Sequence, residues 1–222
     1  MLSTITLLTT LSVASAFDNP FAAKPKAAPL PPATPVSQFS DPAFAGGLPG
    51  QLAPAGAFDP FGFTEKATPN DLLRYREAEV THGRVAMLAT IGFLAGEAVE
   101  GSSFLFDAQI TGPAITHLAQ VPPVFWTLLA VGIGASEQVR AETGWVAPKL
   151  ENKVWWQLQD DYAAGDIGFD PLGLKPEDPA ELEEMITKEL QHGRLAMLAA
   201  AGMCAQELVD GKGIIEHFTS SA

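Results

Sequence analysis

Glu79-Val80-Thr81-His82-Gly83-Arg84-Val85-Ala86-Met87-Leu88-Ala89 returns 110 residues later as Glu189-Leu190-Gln191-His192-Gly193-Arg194-Leu195-Ala196-Met197-Leu198-Ala199. Both copies run on to a glycine, a glutamate and a second glycine at one spacing: Gly92, Glu97 and Gly101, then Gly202, Glu207 and Gly211. A shorter echo precedes each copy, Phe58-Asp59-Pro60-Phe61-Gly62 and Phe169-Asp170-Pro171-Leu172-Gly173. The chain is an internal duplication, and whatever explains an acid, an imidazole and a guanidinium side by side must apply twice.

On one helix Glu79 and His82 project about 60° apart, while Arg84 lies about 140° from Glu79 and about 200° from His82. Arg84 therefore faces away from its own glutamate. Two copies on crossing helices remove the difficulty, because Arg84 can reach Glu189 while Arg194 reaches Glu79. A lone ion in a bilayer costs several kcal/mol, whereas reciprocal salt bridges inside a helix contact are tolerable. Gly83 and Gly193 let the backbones approach at that point. Each glutamate keeps one oxygen free, beside a histidine one turn on, and oxygen and imidazole donors suit a metal.

Two other readings compete. Ion-paired surface helices with solvated histidines would explain one copy but not two copies kept in register. A di-iron carboxylate bundle also uses two Glu-x-x-His motifs. It needs two further helices with inward glutamates, where only one more convincing helix exists, and it has no use for an arginine after each histidine.

The chain has 222 residues, enough for one domain with a sizeable core. Apolar residues make up 47 % and mean hydropathy is positive, which leans toward a membrane. A net charge of -13 argues against nucleic acid and against electrostatic anchoring on anionic lipid. Cys204 is alone, which excludes a disulfide scaffold or thiolate metal site, and its apolar neighbours suit a small buried hydrophobe.

Residues 1–16 are uncharged and end in Ala14-Ser15-Ala16, the pattern of a signal peptide. Residues 17–45 are rich in alanine and proline with few acids, which suits a second targeting segment. A membrane domain then occupies residues 46–222. Its helices are expected over about 70–101, 123–142 and 177–211, with Asn70 or Asp71 as first cap and Gly101 and Gly211 as stops. Residues 102–120 read as loop. Only residues 85–96 of the first helix are charge-free, about 18 Å against a bilayer core of about 30 Å. Either this helix is soluble, or Glu79, His82 and Arg84 lie at membrane depth. The second helix carries the uncharged run 121–136, with Trp126, Trp145, Trp155 and Trp156 as flanking aromatics. Gly132 and Gly134, like Gly92 and Gly96, permit close helix approach. Glu137 and Arg140 share a face at i, i+3. Glu97 and Glu207 fall at helix ends, where solvated or capping roles are expected. The fold class is all-α membrane protein: three transmembrane helices, the first and third parallel and related by a pseudo-two-fold axis along the membrane normal.

Three spans, two of them bearing E-x-x-H-G-R-[VL]-A-M-L-A after an F-D-P-x-G loop, resemble the light-harvesting chlorophyll-binding proteins over roughly residues 55–215. With His192 in the second copy, the chain looks most like the fucoxanthin–chlorophyll a/c proteins of diatoms and related algae. The leader resembles the bipartite leader of such plastids.

The resemblance implies chlorophyll a and chlorophyll c, each magnesium taking one axial ligand from Glu79, His82, Glu137, Glu189, His192 or Gln206. Arg194, Arg84 and Arg140 would be the ion-pair partners of the glutamates, with Gln138 a poorer second-helix ligand than Glu137. Gln206 has no mate, since Gly96 stands at its place in the first copy. His217 reads as nearer a free surface histidine than a further ligand. Fucoxanthin or a related xanthophyll is implied at the Asp59 and Asp170 turns. Met87 and Met197 would line grooves that Ala86, Ala89, Ala196 and Ala199 leave for polyene chains. No nucleophile–base constellation suggests an enzyme. The implied role is an antenna integral to the plastid thylakoid membrane, among thylakoid lipid, other antenna proteins and a photosystem core. Harvesting and photoprotective quenching share this scaffold, and Asp107, Glu97 and Glu207 as an acidic lumenal cluster leave both open.

Overall fold

Two proline-opened helices dominate the computed structural model, which describes residues 44–100, 110–147 and 156–220. The leader residues 1–16, the targeting residues up to 43, and Gly101, Asp107 and Trp155 lie outside the described residues. After a 3-10 turn at Ala45–Gly47 come α1 (Phe63–Lys66), α2 (Pro69–Ala98), α3 (Ala114–Gln120), α4 (Pro123–Gly144), α5 (Pro179–Asp210) and α6 (Ile214–Ser220). The described residues are all-helical and contain no strand. One antiparallel bridge joins Trp145 to Leu158.

The long helices begin alike. Thr68 caps α2 in a reciprocal box with Asp71, and Pro69 follows at the first helical position. Asp178 caps α5 by accepting from the Glu181 amide at 3.2 Å, again ahead of a proline. The first cap therefore falls two residues before Asn70, because the residue preceding a proline is held extended. Gly211 ends α5 in the left-handed region at φ 64°, as the sequence predicts.

The contact between α2 and α5 forms the core. The stripe Glu77, Val80, Gly83 and Ala86 is buried on one helix, and Thr187, Leu190, Gly193 and Ala196 on the other. These are matched positions of the duplication, three residues apart. At the centre a Cβ on Gly83 would stand 2.9 Å from the Gly193 Cα, and the converse holds. Only glycine fits at both places.

Two short helices depart from the expected loop and tail. α3 occupies residues 114–120, and α6 follows α5 directly. Each is fixed by a carboxylate from the other repeat: Glu207 accepts from the Ile115 amide at 2.7 Å, and Glu97 accepts from Ile214 and Ile215, each at 2.7 Å. Glu97 and Glu207 are thus caps, but Glu207 is fully buried rather than solvated. Cys204 is half-buried.

The expected glycine contacts on the second helix are corrected. A Cβ on Gly92, Gly132 or Gly134 would meet nothing within 4 Å, and Gly96 faces the His117 ring of the short helix α3. α4 stands off from the α2–α5 pair, and Gly144 is its one buried residue. No single helix among the described residues is long and apolar enough to cross a membrane, because the motif charges interrupt α2 and α5. The bent pair α3 and α4, 103° apart, passes that test together.

Gly83→Ala and Gly193→Ala each force a methyl onto opposing backbone. Each is expected to destabilise by about 1–3 kcal/mol, as overpacking does, read as loss of helical signal at lower temperature in detergent.

Candidate pigment-binding site

Each motif arginine joins three segments. Arg84 Nε donates to Glu189 Oε1 at 2.7 Å while its Nη1 donates to the Gly165 carbonyl at 2.7 Å. Arg194 Nε donates to Glu79 Oε1 at 2.7 Å while its Nη1 donates to the Gly50 carbonyl at 2.6 Å. Gly165 and Gly50 both have positive φ, 83° and 113°. A Cβ on Gly165 would strike Val80, and one on Gly50 would strike Leu190. The matched residues of the motif thus receive matched loops. Glu79 is approached further by Arg76 at 3.5 Å, so the two carboxylates are not equally free.

His82 and His192 are exposed on α2 and α5. Their Nδ1 atoms lie 2.7 Å from the Ala78 carbonyl and 2.8 Å from the Lys188 carbonyl, one turn back on their own helices. A carbonyl can only accept, so Nδ1 carries the proton and Nε2 presents its lone pair outward. A metal-ligating histidine has this arrangement, its second nitrogen fixed by a backbone carbonyl. Among the described residues no three His, Cys, Asp or Glu side chains converge as a metal cage. The donors are presented singly, which fits a metal already chelated equatorially and lacking one axial ligand. It does not fit the di-iron bundle, which needs convergent carboxylates.

On α4, Arg140 Nη1 donates to Glu137 Oε2 at 2.8 Å, as the i, i+3 spacing implies. Gln138 turns its amide to Glu142 on its own helix. The sequence reading missed Glu77, whose side chain is buried and receives Arg140 Nε at 2.7 Å. The matched position of the other repeat is Thr187, so the duplication that marks the motif does not mark Glu77. Its one sequence signal was an acid two residues before Glu79, on the stripe that faces the opposite helix.

Gln206 directs its amide nitrogen at Asp210 and lies 3.4 Å from His217 Nδ1. His217 also pairs with Asp210 at 2.8 Å, which corrects the reading of it as a free surface histidine. Asp59 accepts from the Phe63 and Thr64 amides and from the Thr64 hydroxyl, and so caps α1. The Thr64 hydroxyl, with these amides, holds the Asp59 carboxyl below the usual carboxylate range. Asp170 accepts from the Leu174 and Lys175 amides. Both aspartates are engaged in closing their own turns. Met87 and Met197 are half-buried. Ala86 and Ala196 lie inside the helix contact rather than in grooves, because their positions face the opposite helix.

The description "Chlorophyll A-B binding protein" belongs to the family whose profile matches residues 43–208. The chain belongs to this family. Light-harvesting complex stress-related protein 3.2 of Chlamydomonas reinhardtii is 48 % identical over 188 residues, 83 % of this chain and 72 % of its own length. The fucoxanthin-chlorophyll a-c binding protein of Isochrysis galbana is also 48 % identical, over 169 residues, 76 % of this chain and 79 % of its own. Chlorophyll a-b binding protein 6 of Arabidopsis thaliana is 35 % identical over 171 residues, 73 % and 65 % respectively. All three are named chloroplastic. This is a pigment-binding family rather than an enzymatic one.

Crossed pairing has a measurable signature. Arg84→Leu leaves Glu189 without its guanidinium and should cost about 1.5–3 kcal/mol, the usual worth of a charged hydrogen bond. Arg84→Leu with Glu189→Leu removes both charges and recovers assembly. Arg84→Leu with Glu79→Leu orphans Glu189 and Arg194 together and assembles worse than either single variant. Yield of pigmented monomer reads all of these.

Proposed function

We propose that the chain is an antenna protein of the plastid thylakoid membrane that holds chlorophylls and carotenoids and passes excitation to a photosystem. α2, α4 and α5 span the membrane, α2 and α5 about a pseudo-two-fold axis along its normal. The observation that carries the reading is the pair of exposed histidines whose Nδ1 atoms are tied to their own helices while Nε2 is free.

Exposed apolar surface supports it. Leu88 and Leu198 stand at matched positions with 72 % and 75 % of their surface open, and Leu128 and Val131 on α4 at 68 % and 66 %. Such a surface calls for lipid or pigment around it. The motif charges at that depth are neutralised by each other, which makes them tolerable in a bilayer. A Cβ on Gly92, Gly132 or Gly134 meets nothing within 4 Å, which would leave room for rings and polyenes beside them.

His82 and His192 would hold magnesium through Nε2. Glu79 and Glu189 would do so through the oxygen that their arginine leaves, Glu137 likewise beside Arg140, and Gln206 through its amide oxygen. Asp59 and Asp170 would act by closing the turns that receive a carotenoid head group, with Met87 and Met197 lining the chain. Bound chlorophyll supplies light absorption and excitation transfer, and the protein fixes position and orientation. The a-c relative favours chlorophyll a, chlorophyll c and fucoxanthin or a related xanthophyll. Other antenna proteins, a photosystem core and thylakoid lipid would surround it. Residues 1–16 and 17–45 would direct it there and be removed in turn. The stress-related relatives favour a second reading in which the same pigments dissipate excitation. A shortened chlorophyll fluorescence lifetime in the isolated protein selects that reading over harvesting.

Pigment analysis of the detergent-purified protein should find chlorophyll with a xanthophyll. His82→Ala and His192→Ala remove a neutral donor without orphaning a charge, so each should lose about one chlorophyll per chain while folding is retained. Unchanged chlorophyll counts in both variants would make these histidines surface residues.

A further inference from the structure

α4 is joined to α2 by one buried carboxylate. Glu77 is 1 % exposed, and each of its oxygens is engaged. Oε1 accepts from Arg140 Nε at 2.7 Å; Oε2 accepts from the Tyr162 hydroxyl at 3.1 Å and the Gly165 amide at 2.6 Å. Tyr162 in turn packs on the end of α4, where a Cβ on Gly144 would fall 2.8 Å from its ring. Burial, and then the charge of Glu77, push the phenol well above its ordinary range, so it stays protonated and donates. Arg140 divides its guanidinium between Glu77 and Glu137. Without Glu77 the guanidinium would be free to turn about the remaining contact. Nothing equivalent exists in the other repeat, where Thr187 is buried and its hydroxyl has no partner among the described residues.

We propose that Glu77 is the positioning residue of the second-helix pigment site: by holding Arg140 across the gap between α2 and α4, it sets where Glu137 and its magnesium stand relative to the pigments on α2. The inference rests on the pigment reading of Glu137 given above. A relay of hydrogen bonds through Glu77 also joins Glu137 to Glu189. Glu189 accepts from Arg84, Arg84 donates to the Gly165 carbonyl, the Gly165 amide donates to Glu77, Glu77 accepts from Arg140, and Arg140 donates to Glu137. Arg84, the backbone of Gly165, Glu77 and Arg140 thus link the two ligand carboxylates. Glu77 touches no pigment itself and acts through Arg140.

The full chain refolded with chlorophylls and xanthophyll provides the test, read by chlorophyll per chain and by visible circular dichroism, which reports the mutual orientation of pigments. Glu137→Ala should lose one chlorophyll. Glu77→Gln should lose part of that same chlorophyll and change the excitonic bands. Glu77→Gln with Glu137→Ala should lose no more than Glu137→Ala alone, whereas Glu77→Gln with His192→Ala should lose the sum. Tyr162→Phe, which leaves the carboxylate in place, should shift the same bands less, and it decides the matter if Glu77→Gln does not assemble. A full chlorophyll complement in Glu137→Ala removes the pigment from that residue, and this inference with it. One chlorophyll lost in Glu137→Ala, beside unchanged counts and spectra in Glu77→Gln, overturns the inference alone. So does an even loss of all pigments in Glu77→Gln, or an unchanged spectrum in Tyr162→Phe where that variant decides.

Discussion

Exchange of charge across the glycine contact is the constraint on which the remaining structure depends. Gly83 and Gly193 bring two backbones close enough for Arg84 to reach Glu189 and Arg194 to reach Glu79. Larger residues there would push the helices apart and break both crossed ion pairs, leaving Glu189 without its guanidinium and Glu79 with Arg76 alone. Each arginine then has an Nη1 group left over for a loop carbonyl, so the same contact also fixes the backbone at Gly50 and Gly165. Outward from the glutamates, geometry of the donor groups follows from geometry of the contact.

The repeats match in this contact and differ beside it. α4 packs on one side only, and the asymmetry begins at a single pair of matched positions, Glu77 and Thr187. The acid recruits an arginine, a tyrosine and a backbone amide; the threonine recruits none of these. One substitution in a duplicated sequence thus gives α4 a place to attach. The same break is visible at Gln206 and Gly96. A side chain is available on α5, while the ring of His117 covers the glycine on α2.

The duplication, the long helices and the need for crossed pairing could be read from residues, because each rests on local spacing: 110 residues between copies, and an arginine turned away from its own glutamate. The short helices could not. α3 and α6 are seven residues each, too short to hold by propensity, and their caps come from Glu207 and Glu97 far along the chain. The glycines at 92, 132 and 134 were misread for a related reason. Small residues signal close approach only where something approaches, and sequence alone does not say what faces them. Within the candidate site, the outward Nε2 of each histidine depended on the i−4 carbonyl, which any helical histidine can reach but need not.

The crossed caps also impose an order in time. The Ile115 amide receives its carboxylate from a residue 92 positions later in the chain, and the arginine of the first copy waits 105 positions for Glu189. A ribosome that has delivered α2, α3 and α4 has delivered no complete half: the first repeat holds an acid and a base that belong to a helix not yet made. Closure comes in one late event when α5 arrives and joins the arginines, glutamates and short helices together. Contacts so distant in sequence make that event slow. Until it happens, the early helices are an open clasp rather than a small folded unit.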